Sequence, residues 1–338
     1  MSRFTVWVVQ PLSYPHARCF IEVAAAVAYS LRKLGHEVAF DPGRGSFITN
    51  PLPWKGTRSF GRSIIIGANL MPNIPMPEDA IIFNLEQVSS DKGRGDLWST
   101  CDLIHMLRRH TVWDYSKTNI AHLKTLGVGD IHYCGIGYTP EMSCIEPAPV
   151  QDIDILHYGA LCQRRVDILN ALTNTRIHDA DGKERLICVE HLSGVYGEER
   201  DRMIARSKVV LNVHQFVDAK IFEIVRVAWL LANKKCVVSE GGGQDPELEA
   251  FGKRAVALVD YGHPHAEDGD QDGIRRALLE RVTPDNVVGM CVALLDEKYE
   301  GRAISAAEAR NTIAQRGFEE ICKIDQVEEV RRALEASK

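Results

Sequence analysis

Short apolar runs rich in valine and isoleucine alternate with helical stretches along most of this 338-residue chain, and that alternation constrains the fold more than any other feature. Such runs need cover on both faces, which a parallel sheet flanked by helices provides. In the first half, strands are predicted over 3–9, 37–40, 63–67, 80–85 and 102–106. Helices are predicted over 18–34 and 116–126, the second capped by Ser116 and stopped by Gly127. A Pro-rich polar stretch, 139–152, breaks the pattern as a linker does. The alternation then restarts, with strands over 154–158, 186–189, 209–213, 235–239 and 255–259. Helices over 164–172, 198–205, 219–232 and 245–251 lie between or after them, and the tail from about 303 is helical and charged. The expected architecture is α/β: two Rossmann-like domains, 1–148 and 149–338, facing across a cleft, with the last helix allowed to cross back to the first domain.

Charge and cysteine content exclude several classes. Lys plus Arg is 40 against Asp plus Glu 46, a net charge of -6, which argues against a globally basic nucleic-acid binder. No apolar run approaches the ~20 residues needed to span a bilayer, and the start lacks the apolar core of a secretion signal. The nine cysteines form no CxxC and read as free thiols in a reducing, cytoplasmic compartment. The first strand is not followed by GxGxxG, which disfavours a nicotinamide dehydrogenase. Asp152-Ile153-Asp154 mimics a metal motif but leads straight into a strand, and His263-Pro264-His265 lies in an acidic loop with Glu267, Asp268 and Asp270. No metal and no cofactor are expected from either.

In open parallel sheets, ligands bind beyond the carboxyl ends of the strands, so the strand-to-helix loops of the second half are the first candidates. One holds Gly159 followed by Arg164 and Arg165, suited to backbone approach and to clamping a diphosphate at a helix start. The next holds His214, Gln215 and Asp218, the last a candidate cap for a nearly all-apolar helix. Lys220, Glu223 and Arg226 recur every third position there and predict a narrow charged stripe near the helix start. Glu223 is suited to accept hydrogen bonds from ribose hydroxyls, with Lys220 and Arg226 beside a phosphate. The third loop places Glu240 at a strand end before Gly241, Gly242 and Gly243, with Asp245-Pro246 starting a helix.

The segments Gly-Ala-Leu-Cys-Gln-Arg-Arg at 159–165, the stretch from Tyr196 to His214, and Ile221 to Glu240 together resemble the donor domain of GT-B glycosyltransferases. The group 1 or CgeB-like members from phage and bacteria are the most similar type. The resemblance implies a metal-independent glycosyltransferase taking a nucleotide-diphosphate sugar as donor. In retaining relatives two glutamates lie eight positions apart, and the second holds the ribose. Glu223 matches the second, whereas Gln215 stands at the first. Retention is the favoured outcome on that pattern. Glu240 and the glycine loop are then expected against the donor sugar.

The first half is then expected to hold the acceptor, whether a glycan, a small molecule or a modified nucleobase. Its candidates are His16 and Glu86 as catalytic groups, and Trp113, Asp114 and Tyr115 either against a sugar-like acceptor or packed beneath the helix at Ser116. Three alternatives stay open: an epimerase or hydrolase of nucleotide sugars, a non-catalytic nucleotide-binding subunit, and a transferase acting on DNA bases. The last draws on the basic residues Arg44, Lys55, Arg58 and Arg62. The sequence admits a homodimer and specifies no membrane partner.

Overall fold

A computed structural model describes residues 1–11, 14–41, 47–48, 61–88, 101–215, 221–259 and 286–337. The chain divides into two units, Met1–Met142 with Cys322–Lys338, and Ser143–Ile321. The change of unit thus comes a few residues ahead of the boundary read at 148.

The first unit is a parallel sheet. Its strands are β1 (Arg3–Val9), β2 (Glu37–Ala39), β3 (Phe47–Ile48), β4 (Arg62–Ile66), β5 (Ile81–Asn84), β6 (Thr111–Asp114) and β7 (Ile131–Tyr133). Their order is β2-β1-β4-β5-β6-β7, with β3 also paired to β1. Because β1 pairs with β2 on one side and β4 on the other, the chain reverses direction across the sheet between β1 and β4. Val6, Ile64, Ile65, Ile66, Ile81 and Ile82 are all fully buried, as continuous apolar strands in a covered sheet should be.

Helix α1 (Ile21–Lys33) buries Val23, Val27 and Leu31, and the chain turns after it at Gly35, with φ at +82°. Residues 102–106, expected as a strand, instead lie in helix α2 (Cys101–Leu107). Leu103, Ile104, Met106 and Leu107 are buried together, a spacing that marks a helix face. A short apolar run is ambiguous by periodicity, and here packing decides. Residues 111–114, among which no strand is expected, form strand β6 with Val112 and Trp113 at its buried centre. Ser116 caps helix α3 (Lys117–Thr125) by accepting the Asn119 N–H at 3.2 Å.

In the second unit, β8 (Ile153–Tyr158) leads into α4 (Gln163–Thr173). Then come β9 (Arg176–His178), β10 (Glu184–Leu186), β11 (Val189–Leu192), α5 (Glu198–Arg206) and β12 (Ser207–Asn212). The chain continues through α6 (Ile224–Ala232), β13 (Cys236–Glu240), α7 (Pro246–Ala255), β14 (Ala257–Val259), α8 (Val287–Leu295) and α9 (Ala306–Cys322). The parallel order is β11-β8-β12-β13-β14, and β9 and β10 form a separate antiparallel pair. The single strand expected over 186–189 is therefore two strands in two sheets. The break has a cause: Ile187 N–H turns to the Thr175 carbonyl at 3.1 Å, and Cys188 N–H to the Asp154 carboxylate at 2.8 Å.

Helix α6 begins at Ile224, five residues later than expected, so Glu223 stands before the helix and Arg226 in its first turn rather than on one helical stripe. Glu223 stands at the N-cap, set there by a tight turn in which Ile224 N–H bonds the Phe222 carbonyl at 2.8 Å. Asp218 and Lys220 lie outside the described residues, as do Arg44, Lys55, Arg58 and the loop around His263 and His265.

Helix α9 packs through a glycine. A methyl group at Gly317 would stand 2.6 Å from the Ala255 carbonyl oxygen and 2.7 Å from Leu231. Alanine would raise helix propensity by about 1 kcal/mol, but a backbone atom cannot step aside as a side chain can. Overpacking costs about 1–3 kcal/mol, so Gly317→Ala is expected to lower stability by about 1 kcal/mol despite the propensity gain. Urea unfolding followed by circular dichroism measures it.

The last helix, α10 (Gln326–Ala336), belongs to the first unit. Gln326 Oε1 accepts the Gly137 N–H at 2.6 Å, and Glu329 Oε2 accepts the Gly135 N–H at 3.0 Å. Just past the helix, Ser337 Oγ accepts the buried Trp113 indole N–H at 2.9 Å. On its solvent side Arg331 pairs with Glu328 and Glu335 at 2.6 and 2.7 Å. No described helix is long and apolar enough to cross a membrane.

Candidate functional site

The topology of the second unit singles out one place. β8 pairs with β11 on one side and β12 on the other, so the strand order reverses between β8 and β12. Loops that leave such neighbouring strands diverge to opposite faces and open a crevice beyond their carboxyl ends. The loops there carry Gly159 to Arg165 and His214 to Gln215, with Glu223, Arg226 and Glu240 alongside.

Each candidate then has a distinct set of partners. Arg165 is 2% exposed. Its Nε and Nη2 donate to the Val213 carbonyl at 3.0 and 2.6 Å, and its Nη1 to the Ala160 carbonyl at 2.6 Å. This guanidinium ties the end of β12 to the loop after β8. Burial and the nearby Arg226 lower it to about 10, against the pull of Glu223 and Glu240, so it stays a cation at neutral pH. Arg164 forks onto Glu240, with Nη1 at 2.8 Å from Oε2 and Nη2 on Oε1. Arg164 Nη1 also reaches the His214 carbonyl at 3.2 Å, and Glu240 Oε2 accepts the His214 N–H at 2.8 Å. Glu240 is 1% exposed. Its two oxygens hold Arg164 and the His214 backbone, a positioning arrangement within the protein.

His214 is 4% exposed. Its Nδ1 lies 3.4 Å from Glu223 Oε1 but without hydrogen-bond alignment, and neither ring nitrogen has a hydrogen-bond partner among the described residues. Glu223 keeps 25% of its side chain exposed. Burial works against its charge, but His214, Arg226 and Arg165 outweigh burial and hold the carboxyl down to about 2. Arg226 sits over the Tyr158 ring at 5.7 Å, and its Nη1 is a long 3.5 Å from Asn212 Oδ1. Gly159 has φ at +129°, and a Cβ there would stand 3.3 Å from Arg226 Nη2 and 3.6 Å from Arg165 Nη1. The positive φ is what selects glycine here, and a Cβ would crowd the Arg226 guanidinium while meeting Arg165 only at ordinary contact distance. Gln215 receives the Cys162 thiol on its carbonyl at 3.1 Å.

The glycine loop is arranged differently from expectation. Gly242 and Gly243 both donate their N–H groups to Glu249 Oε2 at 3.1 Å, and Gly241 N–H bonds the Val259 carbonyl at 2.9 Å. A carboxylate of α7 thus fills the nest that an incoming ligand was expected to use. Asp245 caps α7 by accepting the Leu248 N–H at 3.2 Å. The Asp152 and Asp154 carboxylates are likewise engaged: Asp152 by Arg206, and buried Asp154 by Arg185, Lys208 and the Cys188 N–H. Among the described residues no three His, Cys, Asp or Glu side chains gather as a metal site would require.

Two features escaped the sequence reading. His157 and His191 sit opposite each other on β8 and β11, with Nδ1 atoms 3.0 Å apart and both Nε2 atoms buried without a hydrogen-bond partner among the described residues. Burial, Arg165 and Arg226 drive His157 down to about 2, so it is neutral. Tyr158 carries Arg200 at 5.9 Å as well as Arg226. The available signal was a histidine inside an apolar strand, but its partner lies 34 residues away.

In the first unit, His16 lies in a short turn (Pro15–Phe20) after β1, edge-on to Tyr14 at 5.1 Å. Glu86 follows β5. Its carbonyl accepts the amides of Asn84 and Asn119 at 2.9 and 2.8 Å. Fully buried Asp114 accepts the Asn84 amide at 2.7 Å and the Ser116 N–H at 2.8 Å. Burial, with Cys19 and Glu86, pushes the Tyr14 hydroxyl up. Trp113 and Asp114 are fully buried and Tyr115 nearly so; they pack beneath Ser116 and offer no surface for an acceptor.

Solved structures align with the whole chain. AviGT4, a glycosyltransferase involved in avilamycin A biosynthesis, superposes with a TM-score of 0.53 and 17% identity, over 99% of this chain and 97% of that one. WaaG, a glycosyltransferase involved in lipopolysaccharide biosynthesis, gives 0.54 and 11%, over 98% and 97%. An α-glucosyltransferase in complex with UDP and a 13-mer DNA containing a HMU base gives 0.55 and 10%, over 98% and 100%. The chain has the GT-B fold. At these identities the likeness is one of GT-B architecture. In sequence, uncharacterized protein L140 of Acanthamoeba polyphaga mimivirus is 28% identical over 175 residues, 50% of this chain and 51% of that protein. The match therefore spans about half of that relative's length. No protein-family profile matches the chain.

Proposed function

We propose that the chain is a glycosyltransferase that binds a nucleoside-diphosphate sugar at the carboxyl ends of β8 and β12. The observation that carries this reading is the grouping of Glu223, His214 and Arg226 at the reversal point, beside a glycine with positive φ. Glu223 stays ionised and partly exposed, so it can accept from a ribose diol. Arg226 and the amino end of α6 supply positive charge for the diphosphate. A departing diphosphate gains negative charge as the sugar leaves, and fixed cations and dipoles lower the energy of that state. This positive charge comes from side chains, so the reading calls for no metal. Arg164, Arg165 and Glu240 act as positioning residues in it, since their donors and acceptors are taken up within the protein. His16 and Glu86 are our candidates for contact with the acceptor.

A second reading gives the acceptor as a modified base in DNA. The α-glucosyltransferase solved with UDP and DNA favours it, and DNA retention that falls with salt would support it.

The donor reading is tested by a thermal-shift screen of the full chain against nucleoside diphosphates and nucleotide sugars. A ligand that binds only the native state at a hundred times its Kd stabilises by about 2.7 kcal/mol, a rise of several degrees. Silence across the whole panel at millimolar concentration would reject the reading.

A further inference from the structure

His214 is the least satisfied polar side chain at this site. Its ring is buried, and neither nitrogen is hydrogen-bonded among the described residues. The backbone is pinned on both sides, by Glu240 on the N–H and Arg164 on the carbonyl. The imidazole therefore cannot easily leave to find a partner elsewhere. A buried polar atom without a partner is costly, and among the described residues nothing offsets that cost for His214.

The charged groups around His214 come from three elements. Glu223 precedes α6, Arg226 is on α6, Arg164 and Arg165 are on α4, and Glu240 ends β13. Formally these are three guanidinium groups against two carboxylates. Two of the three cations are committed, Arg164 to Glu240 and Arg165 to the Val213 and Ala160 carbonyls. A diphosphate ester brings roughly two negative charges, and more once the sugar has left. Its arrival leaves the site short of positive charge, with the imidazole between the Glu223 carboxylate and a second anion. Anions within a few ångströms favour the charged form of a histidine. Only imidazolium has two N–H donors, one toward Glu223 and one toward a phosphate oxygen.

Resting on the donor-site reading above, we propose that a nucleoside diphosphate binds this protein with uptake of one proton from solvent onto the His214 imidazole. The proton goes to the ring nitrogen that is vacant in the free protein, and no other bond forms or breaks. On release of the diphosphate the same proton returns to solvent. Affinity for the diphosphate then falls as rising pH opposes uptake of that proton.

Isothermal titration of the full chain with UDP at pH 7, in buffers of different ionisation enthalpy, measures the proton count; ADP, GDP and TDP serve as parallel probes. The expected result is uptake of about 0.5 to 1 proton for the wild type, and near zero for His214→Gln with roughly tenfold weaker binding. A second measurement covers a variant that fails to fold: NMR titration of the His214 ring in the wild type, free and UDP-bound, with an upward shift of about one pH unit or more expected. Tight UDP binding without proton uptake, uptake unchanged in His214→Gln, or an unshifted His214 titration would overturn the proposal while leaving the donor reading intact. If none of the four diphosphates binds the wild type, the donor reading fails and the proposal falls with it.

Discussion

Arg165→Met is expected to destabilise the protein by about 3 kcal/mol, because it strips a buried cation from the Val213 and Ala160 carbonyls that it bonds. The methionine fills much of the volume, so the loss is chiefly electrostatic. Val213 would lose both bonds from the guanidinium and Ala160 would lose the third. The Glu223 and Glu240 carboxylates would also lose a nearby positive charge. Denaturant unfolding followed by circular dichroism should show an earlier midpoint than wild type. A midpoint within experimental error of wild type would mean that the carbonyls find other partners. Arg164→Met should cost less, because that side chain keeps 27% of its surface in solvent.

Glu223→Ala should leave the protein folded and weaken nucleotide binding roughly tenfold to a hundredfold, since hydrogen bonds to a charged group contribute about 1.5–3 kcal/mol each. The carboxylate sits at an N-cap without capping: no side-chain bond from it satisfies the helix. Its removal takes no capping bond from α6, but it leaves Arg226 and Arg165 without a nearby carboxylate, so a stability loss of about 1–2 kcal/mol is expected, smaller than for Arg165→Met. Calorimetry with whichever nucleotide the thermal screen identifies gives the affinity, and circular dichroism gives the fold. Unchanged affinity in a folded variant would remove Glu223 from the binding site. The pair of variants separates two kinds of residue that look alike in sequence: Arg165 should lose stability first, Glu223 affinity first.

The parallel sheets, the Ser116 and Asp245 caps and the candidate loops of the second unit were legible from local pattern, because strand and helix period, capping chemistry and glycine placement act over a few residues. Where local pattern was weak it failed. Residues 102–106 packed as a helix, 186–189 divided between two sheets, and α6 started late, at Ile224. Each outcome was decided by which distant surface or hydrogen-bond partner was present.

The sequence alone therefore determined the α/β class and the side chains available at the strand ends, since period and composition are properties of neighbouring residues. Tertiary structure decided how those side chains are used. Arg164 found Glu240 across 76 positions, Arg165 found the Val213 carbonyl across 48, and Glu249 filled the glycine nest, while His214 was left with its ring nitrogens unbonded among the described residues. The physical reason is that a buried charge is neutralised by whatever the fold brings within about 3 Å of it, and pairings between distant positions leave no periodic trace along the chain.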